Sequence, residues 1–425
     1  MQVDLRELAS RRKRGRPMGV TSACSAHPIV IRAAIRHGRQ HESTVLIEAT
    51  CNQVNHLGGY TGMTPSDFAA LVRKIAAEEG CPEKLIILGG DHLGPNPWRD
   101  LPAEEAMAEA EKMVAAYVDA GFRKIHLDAS MGCKGEPMAL DDETTANRAA
   151  RLAAVAEAHA ERAGGEMPVY IIGTEVPPPG GADHALDTIE PTSAAAALKT
   201  ISIHRQVFTD KGLEQAFGRA IGLVVQPGVE FGNHNVIFYD RSKIDALKSV
   251  LDDEPQFVFE AHSTDYQGTG PLSALVQDGF AILKVGPELT FVLREALYAL
   301  DAIASDLLPN YGSRPLYAAM ESLMLSQPGN WGKHYHGTND EKRWLRHYSL
   351  SDRIRYYWAA PEAAAAVDRL CGALRGQSVP LPLFWQHLPA ASGFASKPLD
   401  PEALLIWRVT RSIADYHAAC GVGKA

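Results

Sequence analysis

Eight short apolar runs alternate with helix-forming segments along the first 310 residues, and this alternation constrains the fold more than any other feature of the chain. Between the runs lie helix signals such as Thr64-Pro65-Ser66-Asp67, which combines an N-cap, a proline at the first helical position and an acid in the first turn. The expected strands are Gly19–Ala26, Thr44–Thr50, Leu85–His92, Arg123–Ser130, Val169–Val176, Ile221–Glu230, Gln256–His262 and Ala281–Gly286.

Eight strands that are each followed by a helix predict an α/β fold, a (β/α)₈ or TIM barrel, over residues 1–310. An open, doubly wound parallel sheet is the alternative. Residues 311–425 lose the alternation and contain more Trp, Tyr and Pro. We expect them to form a mostly helical C-terminal extension that packs on the barrel.

Composition and missing motifs exclude several classes of function. The net charge of −9 argues against nucleic-acid binding, and no apolar run reaches the roughly 18 residues of a membrane span. Neither a phosphate-binding nucleotide loop nor a serine-hydrolase elbow occurs. The six cysteines contain no C-x-x-C pair, so a reducing cytoplasm is expected. Cys24 and Cys51 lie near strand ends and could be nucleophiles, although packing is the commoner role.

The sharpest local feature is Asp91-His92, which follows an apolar run and two glycines. Neighbouring strand residues point to opposite faces, so both can reach one site only if the strand breaks, which glycines permit. Histidine binds divalent metals, and aspartate can act as a base. His262 is a second candidate ligand, and the third is Glu230 or, if the following loop folds back, His234.

Further polar residues occur late in other predicted strands, where a barrel would bring them to its C-terminal mouth. Each alone is more often a structural polar group. Two strand ends, around Ser263-Thr264 and Lys284-Val285-Gly286, are candidates for phosphate binding because loops there often hold phosphate in barrels. The remaining candidates at the mouth are Glu48, Asp128, Glu175, Gln226 and Glu260.

Several long motifs resemble the GatZ/KbaZ family over residues from about 15 to 360. They are Cys24–Pro28, Ile47–Asn55, Gly58–Pro65, Ile86–Asn96, Lys124–Ser130, Ile172–Pro177, Val224–Phe231, Glu260–Tyr266, Leu283–Phe291 and Ser349–Trp358. Family members are described as accessory, non-catalytic subunits of class II tagatose-bisphosphate aldolase, and some as D-tagatose-6-phosphate 4-epimerases in galactitol and altritol breakdown. An older label, tagatose-6-phosphate kinase, finds no support in the motifs.

The family is similar in turn to class II aldolases, which are zinc-dependent barrels. This resemblance implies that His92 and His262 bind a metal, with Glu230 near the position where the aldolases have a histidine. Zn²⁺ is therefore expected, with Mg²⁺ or Mn²⁺ possible because a carboxylate replaces an imidazole. Asp91 or Glu175 would be the base, with Asp128 as a further catalytic residue.

The predicted reaction is C4 epimerisation of a ketohexose 6-phosphate by retro-aldol and aldol steps. Glu48, Ser263, Thr264, Lys284 and Gly286 would bind the substrate and its phosphate. The alternatives are aldolase activity and a non-catalytic role as partner of a class II aldolase catalytic subunit. We also expect a homo-oligomer that binds neither nucleic acid nor membrane.

Overall fold

The computed structural model describes residues 2–174 and 189–421, and its eight long strands close into a parallel barrel. The last strand pairs with the first, Val20 opposite Ile282, which confirms the predicted barrel and excludes an open sheet. The barrel strands are β1 (Val20–Cys24), β2 (Val45–Thr50), β3 (Ile86–Leu93), β4 (Lys124–Leu127), β5 (Val169–Ile172), β6 (Ala220–Val224), β9 (Val258–Ala261) and β10 (Phe280–Val285).

Helices surround the strands in the order that the sequence predicts. The cap at Thr64 is confirmed, since Thr64 and Asp67 form a reciprocal capping box. The helices are α1 (Leu8–Lys13), α2 (Pro28–Gln40), α3 (Pro65–Glu78), α4 (Ala103–Asp119), α5 (Asp142–Ala163), α6 (Ala194–Asp210), α7 (Glu214–Phe217), α8 (Asp245–Asp253), α9 (Thr269–Gln277), α10 (Pro287–Leu307), α11 (Pro315–Ser326), α12 (Asn339–Tyr348), α13 (Pro361–Leu374), α14 (Leu381–His387) and α15 (Pro401–Ala419). No helix in the described ranges is both long and apolar enough to cross a membrane.

The barrel interior is apolar at one end and charged at the other. Leu46, Ile171 and Ile282 form a small cluster in which the N-terminal Leu5 and Leu8 also take part. This cluster fills the end of the barrel where the strands begin. Polar side chains are therefore concentrated toward the carboxyl ends of the strands, which is where barrel enzymes carry out chemistry.

Strand β3 breaks where the sequence predicts. Its pairing with β4 shifts register between Gly90 and Leu93, and His92 has a left-handed backbone with φ of 51°. A non-glycine residue in this region is strained, and such strain concentrates at functional sites. The shift lets Asp91 and His92 reach the same cavity.

The sixth barrel strand is shorter than predicted. It ends at Val224, and Glu230 instead begins a two-stranded ribbon made of β7 (Glu230–Phe231) and β8 (Val236–Ile237). Gln226 accounts for the break, because its side-chain oxygen accepts hydrogen bonds from the backbone N–H groups of Gly228 and Val229. The expectation that the strand continues to Glu230 is therefore wrong.

The C-terminal extension packs closely on the barrel. Its last helix, α15, contacts α9, α10 and α2 and also touches β1. The backbone N–H of Gly19 donates to the carbonyl of Cys420, and the hydroxyl of Tyr416 donates to the carbonyl of Thr264. The predicted boundary between residues 1–310 and 311–425 as separate domains stays a prediction.

Candidate metal centre and active site

One cavity opens at the carboxyl ends of the barrel strands. Residues from the strand ends meet there with Arg355 and Tyr356, which belong to the 3₁₀ helix Arg353–Tyr357 of the extension. Its polar lining includes Asn52, Gln53, Tyr60, Asp91, His92, His262, Ser263, Asp265, Lys284, Arg355 and Tyr356.

Beneath the cavity lies a network of buried ion pairs. Lys124 Nζ lies 2.7 Å from both Glu48 Oε1 and Glu260 Oε2, and none of the three side chains is exposed. Lys284 Nζ lies 2.9 Å from Glu48 Oε2 and 2.5 Å from Asp91 Oδ1. Burial alone would raise the pKa of Glu260, but Lys124 and Lys284 hold it well below its usual range. The Glu260 carboxylate is therefore ionised, and the ammonium groups balance its charge.

His92 and His126 each pair with a carboxylate. His92 Nδ1 lies 2.7 Å from Asp128 Oδ2, so the imidazole donates there and leaves Nε2 as an acceptor. His126 Nδ1 lies 3.0 Å from Asp91 Oδ1 and 3.1 Å from the backbone nitrogen of His92. The backbone N–H of His92 donates to this Nδ1, and the Nε2 of His126 is buried without a hydrogen-bond partner among the described residues.

His262 completes a set of three imidazoles. Its Nε2 lies 2.9 Å from Glu260 Oε1, and burial lowers its pKa to about 3, so the ring is neutral. The ring centroids of His92, His126 and His262 are separated by 4.9, 5.0 and 5.2 Å. Carboxylates that fix the far nitrogen of each ring are typical of metal-binding histidines.

The group could hold a metal ion. One ligand atom from each of Asp91, His92, His126 and His262 lies within 4.8 Å of all the others. The unpartnered Nε2 of His126 would gain a partner, which removes the cost of a buried unsatisfied polar atom.

His126 is the ligand candidate that the sequence reasoning missed. The alternation in β4 places His126 on the same face as Asp128, which is the signal that could have found it. Glu230 does not belong to this group of four among the described residues, and its carboxylate accepts from the N–H of Phe231. The ligand role of Glu230 stays a prediction. His234 is exposed, with its ring 6.2 Å from that of Trp344.

The other predicted site residues lie in different surroundings. Asp128 contacts His92 and the hydroxyl of Ser130, which are the contacts of a positioning residue. Glu48 lies in the ion-pair network below the cavity rather than in its lining. Glu175 lies outside the described residues.

The predicted phosphate residues are largely occupied by contacts within the chain. The hydroxyl of Thr264 donates to the carbonyl of Lys284 at 2.6 Å, and the Lys284 ammonium is engaged by carboxylates. The N–H of Gly286 donates to Asp265 Oδ1. Ser263 lines the cavity with a left-handed backbone, φ 53°. Their phosphate roles stay predictions.

Arg355 is a further cation at the mouth. Its guanidinium donates to the carbonyls of Ser351 and Asp352 and to the hydroxyl of Tyr356. Tyr60 lines the same cavity, and its ring centroid is 4.6 Å from that of Tyr356.

A (β/α)₈ barrel with three imidazoles at the carboxyl ends of its strands has the architecture of barrel enzymes, which carry out their chemistry at that end. The model of one family, described as D-tagatose-1,6-bisphosphate aldolase subunit GatZ/KbaZ-like, matches residues 5–421. The chain belongs to this family.

Two relatives are similar over nearly the whole chain. One is D-tagatose 6-phosphate 4-epimerase from Agrobacterium fabrum, 59% identical over 424 residues that cover all of both chains. The other is the crystal structure of a probable tagatose 6 phosphate kinase from Sinorhizobium meliloti, 52% identical with a TM-score of 0.86, covering 95% of this chain and all of the other.

Proposed function

We propose that this protein is a metal-dependent epimerase that interconverts D-tagatose 6-phosphate and D-fructose 6-phosphate at C4. The observation that carries the proposal is the buried group of Asp91, His92, His126 and His262 at the barrel mouth. A partner protein without chemistry would have no need of three neutral or carboxylate-paired imidazoles in a cavity. The 59% identical relative with epimerase activity in its name supports the same reaction.

Inversion at C4 requires the C3–C4 bond to break, because the C4 hydrogen is not acidified by an adjacent carbonyl. The C4 hydroxyl gives its proton to a base, the C3–C4 electron pair moves to C3, and an aldehyde forms at C4. The aldehyde turns its other face, C3 attacks it, and the base returns the proton. No atom is lost or gained, so the reaction is an isomerisation.

Among the described residues, Asp91 is the best candidate for the base, since its carboxylate lines the cavity. Burial would raise the pKa of Asp91, but the Lys284 ammonium, 2.5 Å away, holds it well below its usual range, so the group is ionised. Glu175 remains the alternative base. Asp128 would position His92 rather than move protons itself.

His92, His126 and His262 would hold the metal, with Asp91 beside them. A bound metal would act as a Lewis acid that polarises the substrate's carbonyl group. Three nitrogen ligands favour Zn²⁺ over Mg²⁺ or Mn²⁺, which prefer oxygen. The chain's own part is to fix the imidazoles through their carboxylates and to exclude water from the mouth.

The test is to incubate the pure protein with D-tagatose 6-phosphate and to follow the products by NMR, with the metal content of the same sample measured by elemental analysis. We expect D-fructose 6-phosphate and about one zinc per chain. His126→Ala should lose both, whereas His234→Ala, an exposed histidine away from the cluster, should keep both. Turnover by His126→Ala at the wild-type rate would refute the site.

The family model's name, an aldolase subunit, favours a second candidate function: a stabilising partner of a class II aldolase catalytic subunit. The same experiment separates the candidates. Triose products would indicate an aldolase, and an unchanged substrate together with co-purification of a catalytic subunit would indicate the partner role. A cytoplasmic location, a homo-oligomer and a place in galactitol or altritol breakdown are further parts of the proposal.

A further inference from the structure

We propose that the mouth accepts a single phosphoryl group, bound by Arg355, and that the Asp265 carboxylate fills the position where a second phosphoryl group would otherwise bind. The inference rests on the proposed function and narrows its substrates to ketose monophosphates. Compounds with a second phosphate, such as ketohexose 1,6-bisphosphates, would be rejected.

Asp265 occupies the N-terminus of α10. Its Oδ1 accepts hydrogen bonds from the N–H groups of Gly286 at 3.0 Å and Glu288 at 2.8 Å. Pro287, between them, has no N–H to offer. Exposed donors at a helix N-terminus form a ready anion site, but here a carboxylate of the chain already uses them. Asp265 is only 2% exposed, so its carboxylate is a fixed part of the cavity lining.

A second acid reinforces this exclusion. Glu288 Oε2 accepts from the N–H of Tyr266 at 2.6 Å, which holds the glutamate at the same helix end. A phosphate placed here would therefore meet two acidic groups and no unused amide of Gly286 or Glu288.

Of the two cations that the described residues place at the mouth, Lys284 and Arg355, we infer that Arg355 binds the phosphoryl group. The Lys284 ammonium is shared by Glu48, Asp91 and Glu260 at 2.9, 2.5 and 3.9 Å, so its charge is already compensated. Arg355 forms no ion pair with any carboxylate in the part of the chain that the structure describes; its donors meet carbonyls and a phenol.

An arginine in a cavity without a carboxylate partner is poised for an anion, and a guanidinium matches a phosphate in geometry. Tyr356 and Tyr60 stand beside it and could donate hydroxyl protons to the same oxygens. One cation with no carboxylate among the described residues within ion-pair distance fits one phosphoryl group. The mouth thus combines one attractive element with one repulsive element, which together set specificity.

The experiment measures binding by isothermal titration calorimetry, so that it does not depend on turnover. The probes are D-tagatose 6-phosphate, D-tagatose 1,6-bisphosphate and unphosphorylated D-tagatose. For the wild type we expect the monophosphate to bind at least about 10-fold more tightly than the bisphosphate. Equal or tighter binding of the bisphosphate would overturn the proposal.

Arg355→Met should weaken binding of the monophosphate about 100-fold and leave that of unphosphorylated D-tagatose unchanged, since the lost hydrogen bonds are to a charged group that only the phosphorylated sugar carries. Arg355→Lys should recover part of the loss, and Arg343→Met, an exposed arginine of α12, should behave as wild type. An equal loss for both sugars would show a merely structural role for Arg355 and refute it as the phosphate ligand.

Asp265→Asn tests the repulsive element, because an amide keeps an oxygen acceptor but removes the charge. We expect the bisphosphate to gain at least about 10-fold in affinity relative to the monophosphate, both measured on this variant. No gain for the bisphosphate would refute the role of Asp265. If the wild type binds the monophosphate in this pattern but produces no fructose 6-phosphate, the epimerase function fails while the phosphate assignment stands.

Discussion

Lys124→Met should destabilise the protein more than any ordinary surface substitution. Lys124 Nζ lies 2.7 Å from Glu48 Oε1 and 2.7 Å from Glu260 Oε2, in a fully buried environment. At an effective dielectric constant of about 20, each contact is worth a gross attraction of about 6 kcal/mol. Much of this offsets the desolvation of the lysine itself. Loss of one partner from a buried ion pair typically costs about 3–5 kcal/mol, and we expect a loss in this range.

Equilibrium unfolding in urea, followed by circular dichroism, measures this loss at pH 7. The variant should also recover stability as the pH falls toward 5. Without Lys124 the folded-state pKa of a buried carboxylate rises above its unfolded value, so protonation favours the folded state. Adding Glu260→Gln should restore part of the lost free energy. A loss below about 1 kcal/mol, or no dependence on pH, would refute the ion-pair account.

Three further predictions concern single residues. Burial lowers the pKa of His204 to about 4, so the folded state keeps this ring neutral at a pH where the unfolded state protonates it. The free energy of unfolding should therefore fall by about 3 kcal/mol as the pH drops from 6.5 through 4. The urea midpoint of His204→Leu should depend less on pH over this window than that of the wild type. Burial raises the pKa of the Cys24 thiol above its usual range, so iodoacetamide at pH 8 should leave turnover intact, and peptide mass spectrometry should find Cys24 unmodified. A Cβ on Gly94 would lie 1.6 Å from the carbonyl oxygen of Asp128, so Gly94→Ala should lower stability by at least about 3 kcal/mol and reduce metal content; an unchanged melting temperature would contradict this.

The sequence predicts the strands well because barrel strands are buried on both faces and so appear as continuous apolar runs. All six residues of β10, for example, are buried. The end of β6 was not predictable from hydrophobicity, because Val229, Glu230 and Phe231 are also buried although they lie beyond the strand. What ends the strand is a set of local hydrogen bonds to Gln226, and such bonds leave little trace in an apolar pattern.

The candidate site also contains residues that the sequence predicts and residues that it does not. Asp91-His92 stands out because the glycines before it mark a broken strand, and the structure shows the break. His126 was visible only as one polar residue in a strand, and its value as a ligand depends on its distance to two rings from other strands. The phosphate role expected for Gly286 rested on its place after a strand. A sequence cannot show that Asp265 already accepts its N–H.

The C-terminal extension is what connects the fold to the site. Arg355 and Tyr356 enter the cavity from the extension, while Tyr416 of α15 donates to the carbonyl of Thr264 in the loop that carries His262 and Asp265. Helix α15 in turn packs between α9 and α2, where its apolar side chains are buried against the barrel. The barrel supplies the imidazoles and the carboxylates. The extension supports the loop that carries His262 and adds the Arg355 guanidinium. On the proposed assignment, the substrate's phosphate is recognised by Arg355 of the extension, which lies outside the repeating pattern from which the barrel is predicted.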